Sequence, residues 1–120
     1  MKYMLLIYME ENAMTQDERE HCYAESAGVA RELAEKGQFL ATAPLQPVST
    51  ATSVKVREGK RLVTDGPFAE TREHLGGFFM IEAKDLDEAI GIAGRLPGAR
   101  VGTVEIRPVI EISGVPEFQS

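Results

Sequence analysis

Gly77-Phe78-Phe79-Met80-Ile81-Glu82-Ala83 runs directly into Lys84-Asp85-Leu86-Asp87-Glu88, and the change of period between them marks a strand followed by a helix. The first segment is apolar on both alternations, as expected of a strand covered on both faces. In the second, Asp85 stands three residues before Glu88, the spacing at which one side chain caps a helix and a carboxylate reaches back. Leu86, Ala89, Ile90 and Ala93 then recur at helical spacing and are expected to form the buried stripe. Gly91 and Gly94 each weaken this helix by up to about 1 kcal/mol relative to alanine, so close packing against a neighbour is expected there. Pro97-Gly98 ends it, and residues 101–110 return as a strand in which Val104 and Ile106 alternate with Glu105 and Arg107.

The first half of the chain repeats this order. Tyr3 to Met9 reads as a strand apolar on both faces. Thr15-Gln16-Asp17-Glu18 is a capping box, opening a helix that runs to about Lys36, where Gly37 supplies the left-handed stop. Tyr23, Ala27, Ala30, Leu33 and Ala34 are expected to be its core stripe, with His21 turned to solvent. Phe39 to Leu45 reads as a second strand. Ser53 to Arg57 alternates, Glu58-Gly59-Lys60 turns, and Leu62-Val63-Thr64 returns as the other arm of a hairpin leading into Asp65.

The sum is β-α-β, hairpin, β-α-β, which predicts an α+β fold: a ferredoxin-like, split βαβ sandwich with an extra β-hairpin. Two helices cover only one face of such a sheet, yet its central strands are apolar on both. A homodimer packed through the open sheet face is therefore expected, giving a dimeric α/β-barrel.

The 120 residues make one domain, residues 1–111, followed by a polar C-terminal tail, residues 112–120. Hydrophobic content of 43% and charged content of 27% are those of an ordinary globular protein. No apolar run approaches the roughly 18–20 residues of a membrane span. Met1 to Met9 is followed by Glu10-Glu11-Asn12 rather than a cleavage site, so it reads as a strand and the protein as cytoplasmic, with no membrane partner. A net charge of −6 argues against nucleic acid. Arg57, Lys60 and Arg61 read as a solvated hairpin tip. Cys22 is the only cysteine, which excludes an intrachain disulfide.

The densest group of ionisable residues is Asp65-Gly66-Pro67-Phe68-Ala69-Glu70-Thr71-Arg72-Glu73-His74, on the loop before the Gly77 strand. Asp65 is either an Asx-type turn residue or a general base and ligand anchor. Pro67 biases Gly66 towards an extended form and holds Asp65 and Phe68 in a defined relation. Phe68 reads as a core plug or, alternatively, a stacking surface. If residues 68–75 form a helical turn, Glu70 and His74 share a face and make either a surface contact or a proton-moving pair. Arg72 and Arg107 are candidates to meet an anion. A metal site from Asp65, Glu70 and His74 matches no established spacing, and no cofactor is expected.

Three segments carry a resemblance: Met1 to Tyr8, Asp65 to Phe78, and Gly102-Thr103-Val104-Glu105-Ile106-Arg107-Pro108-Val109. Together they resemble the DGPF branch of the YCII-related family. That resemblance implies a dimeric α/β-barrel of ferredoxin-like subunits with a pocket near the motif. Simpler members are similar to enzymes using a His-Asp pair, and a relative is a dehydrochlorinase of a chlorinated aromatic. The histidine of that pair would fall near Ser26 and the aspartate around Leu96-Pro97, and neither residue type is present. Relatives are also encoded beside sigma factors, or fused to them. Three functions follow: a small-molecule-binding homodimer; an enzyme of proton abstraction or elimination with Asp65 or His74 as base; and an interaction module linked to sigma-factor-dependent transcription.

Overall fold

The computed structural model describes residues 1–69 and 71–116. Its strands are β1 (Lys2–Met9), β2 (Phe39–Pro44), β3 (Thr52–Arg57), β4 (Lys60–Asp65), β5 (His74–Glu82) and β6 (Thr103–Pro108). Its helices are α1 (Gln16–Glu35), α2 (Leu86–Arg95) and the short α3 (Gly98–Val101). The fold is thus mixed, with antiparallel sheets and three helices. The main sheet runs β2-β5-β1-β6, and β3 and β4 pair with each other as a separate hairpin. β1 and β5 are the central strands, paired from Lys2 with Glu82 to Met9 with His74.

Local chemistry sets the element ends. Thr15 accepts from the Glu18 amide at 3.2 Å while the Glu18 carboxylate accepts from the Thr15 amide at 2.9 Å, so the α1 capping box is complete. Gly37 follows the helix with φ 72°, in the region that favours glycine. Asp85 caps α2 through the Glu88 amide at 2.9 Å. Glu88, however, reaches to the Lys84 amide and to Gln38 rather than to Asp85. Glu58 and Gly59, at φ 52° and 76°, make the two-residue turn between β3 and β4.

The core lies between the main sheet and the helices. Tyr3 and Leu5 of β1 and Phe79 and Ile81 of β5 meet Val29 and Leu33 of α1 and Ala89, Ile92 and Ala93 of α2. Leu5, Leu33, Phe79, Ile81 and Leu96 are fully buried, each contributing about 1.5–3 kcal/mol of apolar transfer. The other sheet face carries Met4, Leu6, Tyr8 and Phe78, all half-buried.

Several expectations need correction. The inner stripe of α1 is Cys22, Ser26, Val29 and Leu33, while Tyr23, Ala27 and Ala34 are exposed. The branched Val29 and Leu33 set the helix rotation, and the small alanines do not oppose it. In α2, Ala89, Ile92 and Ala93 are buried, and Leu86 and Ile90 are each 51% exposed. A Cβ at Gly91 or Gly94 would meet nothing within 4 Å, so neither glycine packs closely against this chain. The last strand, expected over residues 101–110, is shorter at Thr103–Pro108, because Val101 belongs to the short α3 that follows Pro97. Phe68 is 84% exposed rather than a core plug. Gly66 is at φ 99°, not extended.

Candidate functional site

Where α1 leaves the sheet, a cavity of about 320 Å³ opens towards solvent. Its sheet side is Ile7 and Met9 of β1, Gly77 and Phe79 of β5, and Thr42 and Ala43 of β2. Arg19, Cys22, Tyr23 and Ser26 of α1 face them. Leu45 to Val48, after β2, and Pro97 with Gly98, where α3 begins, close the ends. Gly77 makes the sheet side possible, because a Cβ there would stand 2.9 Å from the Ala43 carbonyl oxygen.

The walls are mostly apolar, with Ser26, Thr42 and Gln46 among them, and the charged groups Glu11 and Arg19 lie at the mouth beside the outer depression. Glu11 is held there by the Val48 amide, which donates to its carboxylate at 2.8 Å. Arg19 donates to the Glu11 carbonyl oxygen at 3.0 Å. No carboxylate among the described residues forms an ion pair with Arg19, which is half-buried. The Cys22 thiol lies 3.4 Å from the Met14 sulfur, a small apolar contact beneath the mouth. Outside lies a shallower depression of about 450 Å³ lined by Glu10, Glu11, Asn12, Val48, Arg72 and His74. Glu11, Val48 and His74 border both spaces.

His74 is fixed by its place opposite Met9 in the β1–β5 ladder. Thr71 donates its hydroxyl proton to the Glu73 carbonyl at 2.7 Å, and the same oxygen lies 3.4 Å from His74 Nδ1. The Thr71 hydroxyl thus bridges the Glu73 carbonyl and the His74 ring, whose donor or acceptor role at Nδ1 follows its tautomer.

The remaining sequence candidates are dispersed. Asp65, Gly66, Pro67 and Phe68, where β4 ends, border neither space. The Asp65 carboxylate has no hydrogen bond or ion pair among the described residues and does not organise the corner. The Gly66 amide instead donates to the Ala51 carbonyl at 2.7 Å, and Ser53 donates to the Gly66 carbonyl at 2.7 Å. No hydrogen bond or ion pair joins Asp65 to His74. Arg72 pairs with Glu10 at 3.2 Å in the outer depression. Arg107, away from both spaces, lies 3.9 Å from Glu105. Glu70 lies outside the described residues, and those flanking it form no helical turn before β5 begins at His74.

Residue-by-residue reading missed Arg19, Tyr23, Cys22 and Met9. The signal that could have found the cavity was the family resemblance. Ser26 and Pro97, where it puts a His-Asp pair, both line the wall.

A small mixed α+β domain with an open cavity between its first helix and its sheet is the class that this geometry defines. The chain belongs to the YCII-related family, whose domain model matches residues 1–113. It is 36% identical over 114 residues to an uncharacterised protein of Rhizobium meliloti, covering 91% of this chain and 92% of that one. Its fold is similar to that of 5-chloro-2-hydroxyhydroquinone dehydrochlorinase from Burkholderia phenoliruptrix, solved as a complex with 2,5-dihydroxybenzoquinone. The TM-score is 0.55 at 13% identity, covering 92% of this chain and 94% of that one. No helix among the described residues is long and apolar enough to cross a membrane.

Proposed function

We propose that this chain is the ferredoxin-like subunit of a homodimeric α/β-barrel that binds a small, largely apolar molecule carrying an anionic group. The observation that carries the reading is the cavity of about 320 Å³, apolar in its walls, with the Arg19 guanidinium at its mouth lacking a carboxylate partner among the described residues. A half-buried guanidinium beside apolar surface favours a ligand that brings the missing negative charge. The strand order β2-β5-β1-β6 supports the ferredoxin-like assignment. The half-buried Met4, Leu6 and Phe78 on the uncovered face support pairing through the sheet. The dehydrochlorinase of similar fold holds a single-ring ligand, which is of a size this cavity admits.

A screen of small aromatic and aliphatic acids by thermal shift tests the binding. Hits should lose affinity at least about tenfold in Arg19→Gln, which removes the charge, and fail in Ser26→Phe, which fills the wall. Hits indifferent to both substitutions place the ligand elsewhere and sink the reading.

His74 favours a second reading, an enzyme of proton abstraction or elimination. It is an imidazole bordering the cavity, a side chain suited to moving a proton, while Ser26 and Pro97 leave the wall without a His-Asp pair. In that case His74→Gln abolishes turnover of a bound acid and spares its binding. Equal turnover in the variant eliminates His74 as the base.

A further inference from the structure

The β3–β4 hairpin is left uncovered by its own chain. Every residue of its strands except Ser53 is exposed, and no other helix or strand packs closely on it. The radius of gyration, 16.0 Å, exceeds the roughly 13–14 Å of a compact chain of this length. Register divides the hairpin into two faces. Val54 opposes Val63 and Val56 opposes Arg61 on one; Lys55 opposes Leu62 and Arg57 opposes Lys60 on the other. Val54, Val56 and Val63 are 58%, 60% and 58% exposed. A two-stranded hairpin alone in water is marginal at best, so a branched apolar face on one asks for a cover.

We propose that the hairpin is a clasp whose valine face lies on the second copy of this chain, in the homodimer proposed above, on which this inference rests. Charge selects that occupant. Arg61 stands among the valines and Lys55, Arg57 and Lys60 on the opposite face, against Glu58 and Asp65 in the same hairpin, whereas the whole chain carries −6. The rest of the chain is therefore strongly acidic, and α1 alone carries Asp17, Glu18, Glu20, Glu25, Glu32 and Glu35. A nucleic-acid backbone would meet the cations and leave three valines wet. An acidic protein surface that also shows apolar residues meets Arg61 and the valines together. This chain shows them, with Ile110 and Ile112 at 84% and 67% exposure. Two-fold symmetry then places both hairpins, each on the opposite copy, and leaves neither arm free.

The test is sedimentation equilibrium of the full chain at low and high salt, with isotope-filtered NOE spectra of mixed labelled and unlabelled copies. Val54→Thr/Val63→Thr keeps branched strand residues and should weaken self-association about tenfold. Arg61→Glu, on the valine face itself, should weaken it at low salt and recover at high salt, where charges are screened. Valine methyl NOEs to the other copy decide the point, and circular dichroism checks that the variants fold. A dimer without such NOEs, unmoved within about twofold by the valine pair and by Arg61→Glu, overturns the clasp and leaves the dimer standing. A chain that stays monomeric overturns both readings, and one that binds an oligonucleotide through Lys55 and Lys60 instead names a different occupant.

Discussion

Gly98 of α3 rests on Ile7 of β1 so closely that a Cβ at Gly98 would stand 2.5 Å from Ile7 Cγ2. The contact seats α3 against the sheet at the end of the cavity. Ile7 is branched and stiff at χ1, so it cannot swing aside cheaply. Gly98→Ala should destabilise the chain by about 1–3 kcal/mol in urea unfolding. Gly102→Ala should cost more, because its Cβ would meet the Tyr8 carbonyl oxygen and the Met9 Cα, both main-chain atoms. Gly91→Ala, on the open side of α2, should gain about 0.5–1 kcal/mol. A loss at Gly91 would reveal a neighbour covering that helix.

The corner at Gly66 is held by Ser53 and Ala51. Ser53→Ala should cost about 1 kcal/mol, the worth of a lost, partly buried hydrogen bond. Asp65→Asn, at an exposed carboxylate with no partner among the described residues, should stay within about 0.5 kcal/mol of wild type. The reverse ranking in paired denaturation curves would show that Asp65, after all, organises the turn.

Thr15→Ala removes an acceptor for the Glu18 amide at the start of α1. The expected loss is about 1 kcal/mol. Hydrogen exchange should quicken first at the N-terminal turn of α1, beside Arg19 and the cavity mouth. Uniform acceleration along the whole helix would contradict a local role for the cap.

Acid should unfold this protein through named carboxylates. Glu25 is held below its ordinary value of 4.5 by its hydrogen bond to Arg100 and then by that residue's charge. Lys2 lowers Glu111, and the Thr15 backbone and side chain lower Glu18. A carboxyl lowered by folding adds stability that is complete above the unfolded value and is lost as pH falls through the folded one. Melting temperature should therefore hold from neutrality down to about 5 and decline below about 4.5. Glu25→Gln should flatten that decline, and an unchanged slope would remove the Glu25–Arg100 pair from the account.

What the sequence showed was local, and what it hid was set at a distance. The Thr15-Glu18 box, the Gly37 stop and the hairpin turn are written within a few residues; the first two hold, and the turn read at Glu58-Gly59-Lys60 tightens to Glu58-Gly59, with Lys60 already in β4. The rotation of α1 is not, because it depends on which side chains the sheet accepts. Five of the helix's positions are alanine or glycine, and Tyr23 resembles a core residue until Val29 and Leu33 claim the inside. The cavity inherits this difficulty, since Met9, Ser26, Leu45 and Pro97 come from four separate segments with no shared motif. His74 was legible as an ionisable group in a dense loop. Its neighbours at the cavity were not, because the β1–β5 register brings them there.

Among the described residues, the cavity's lining and the buried core with its close packing partners share only Ile7 and Phe79. Ser26, Leu45, Gln46 and Pro97 shape the wall without belonging to the cluster that holds the helices on the sheet. Mutational drift in the lining can thus exchange one guest for another while the scaffold keeps its stability, so relatives sharing this architecture are free to diverge in chemistry.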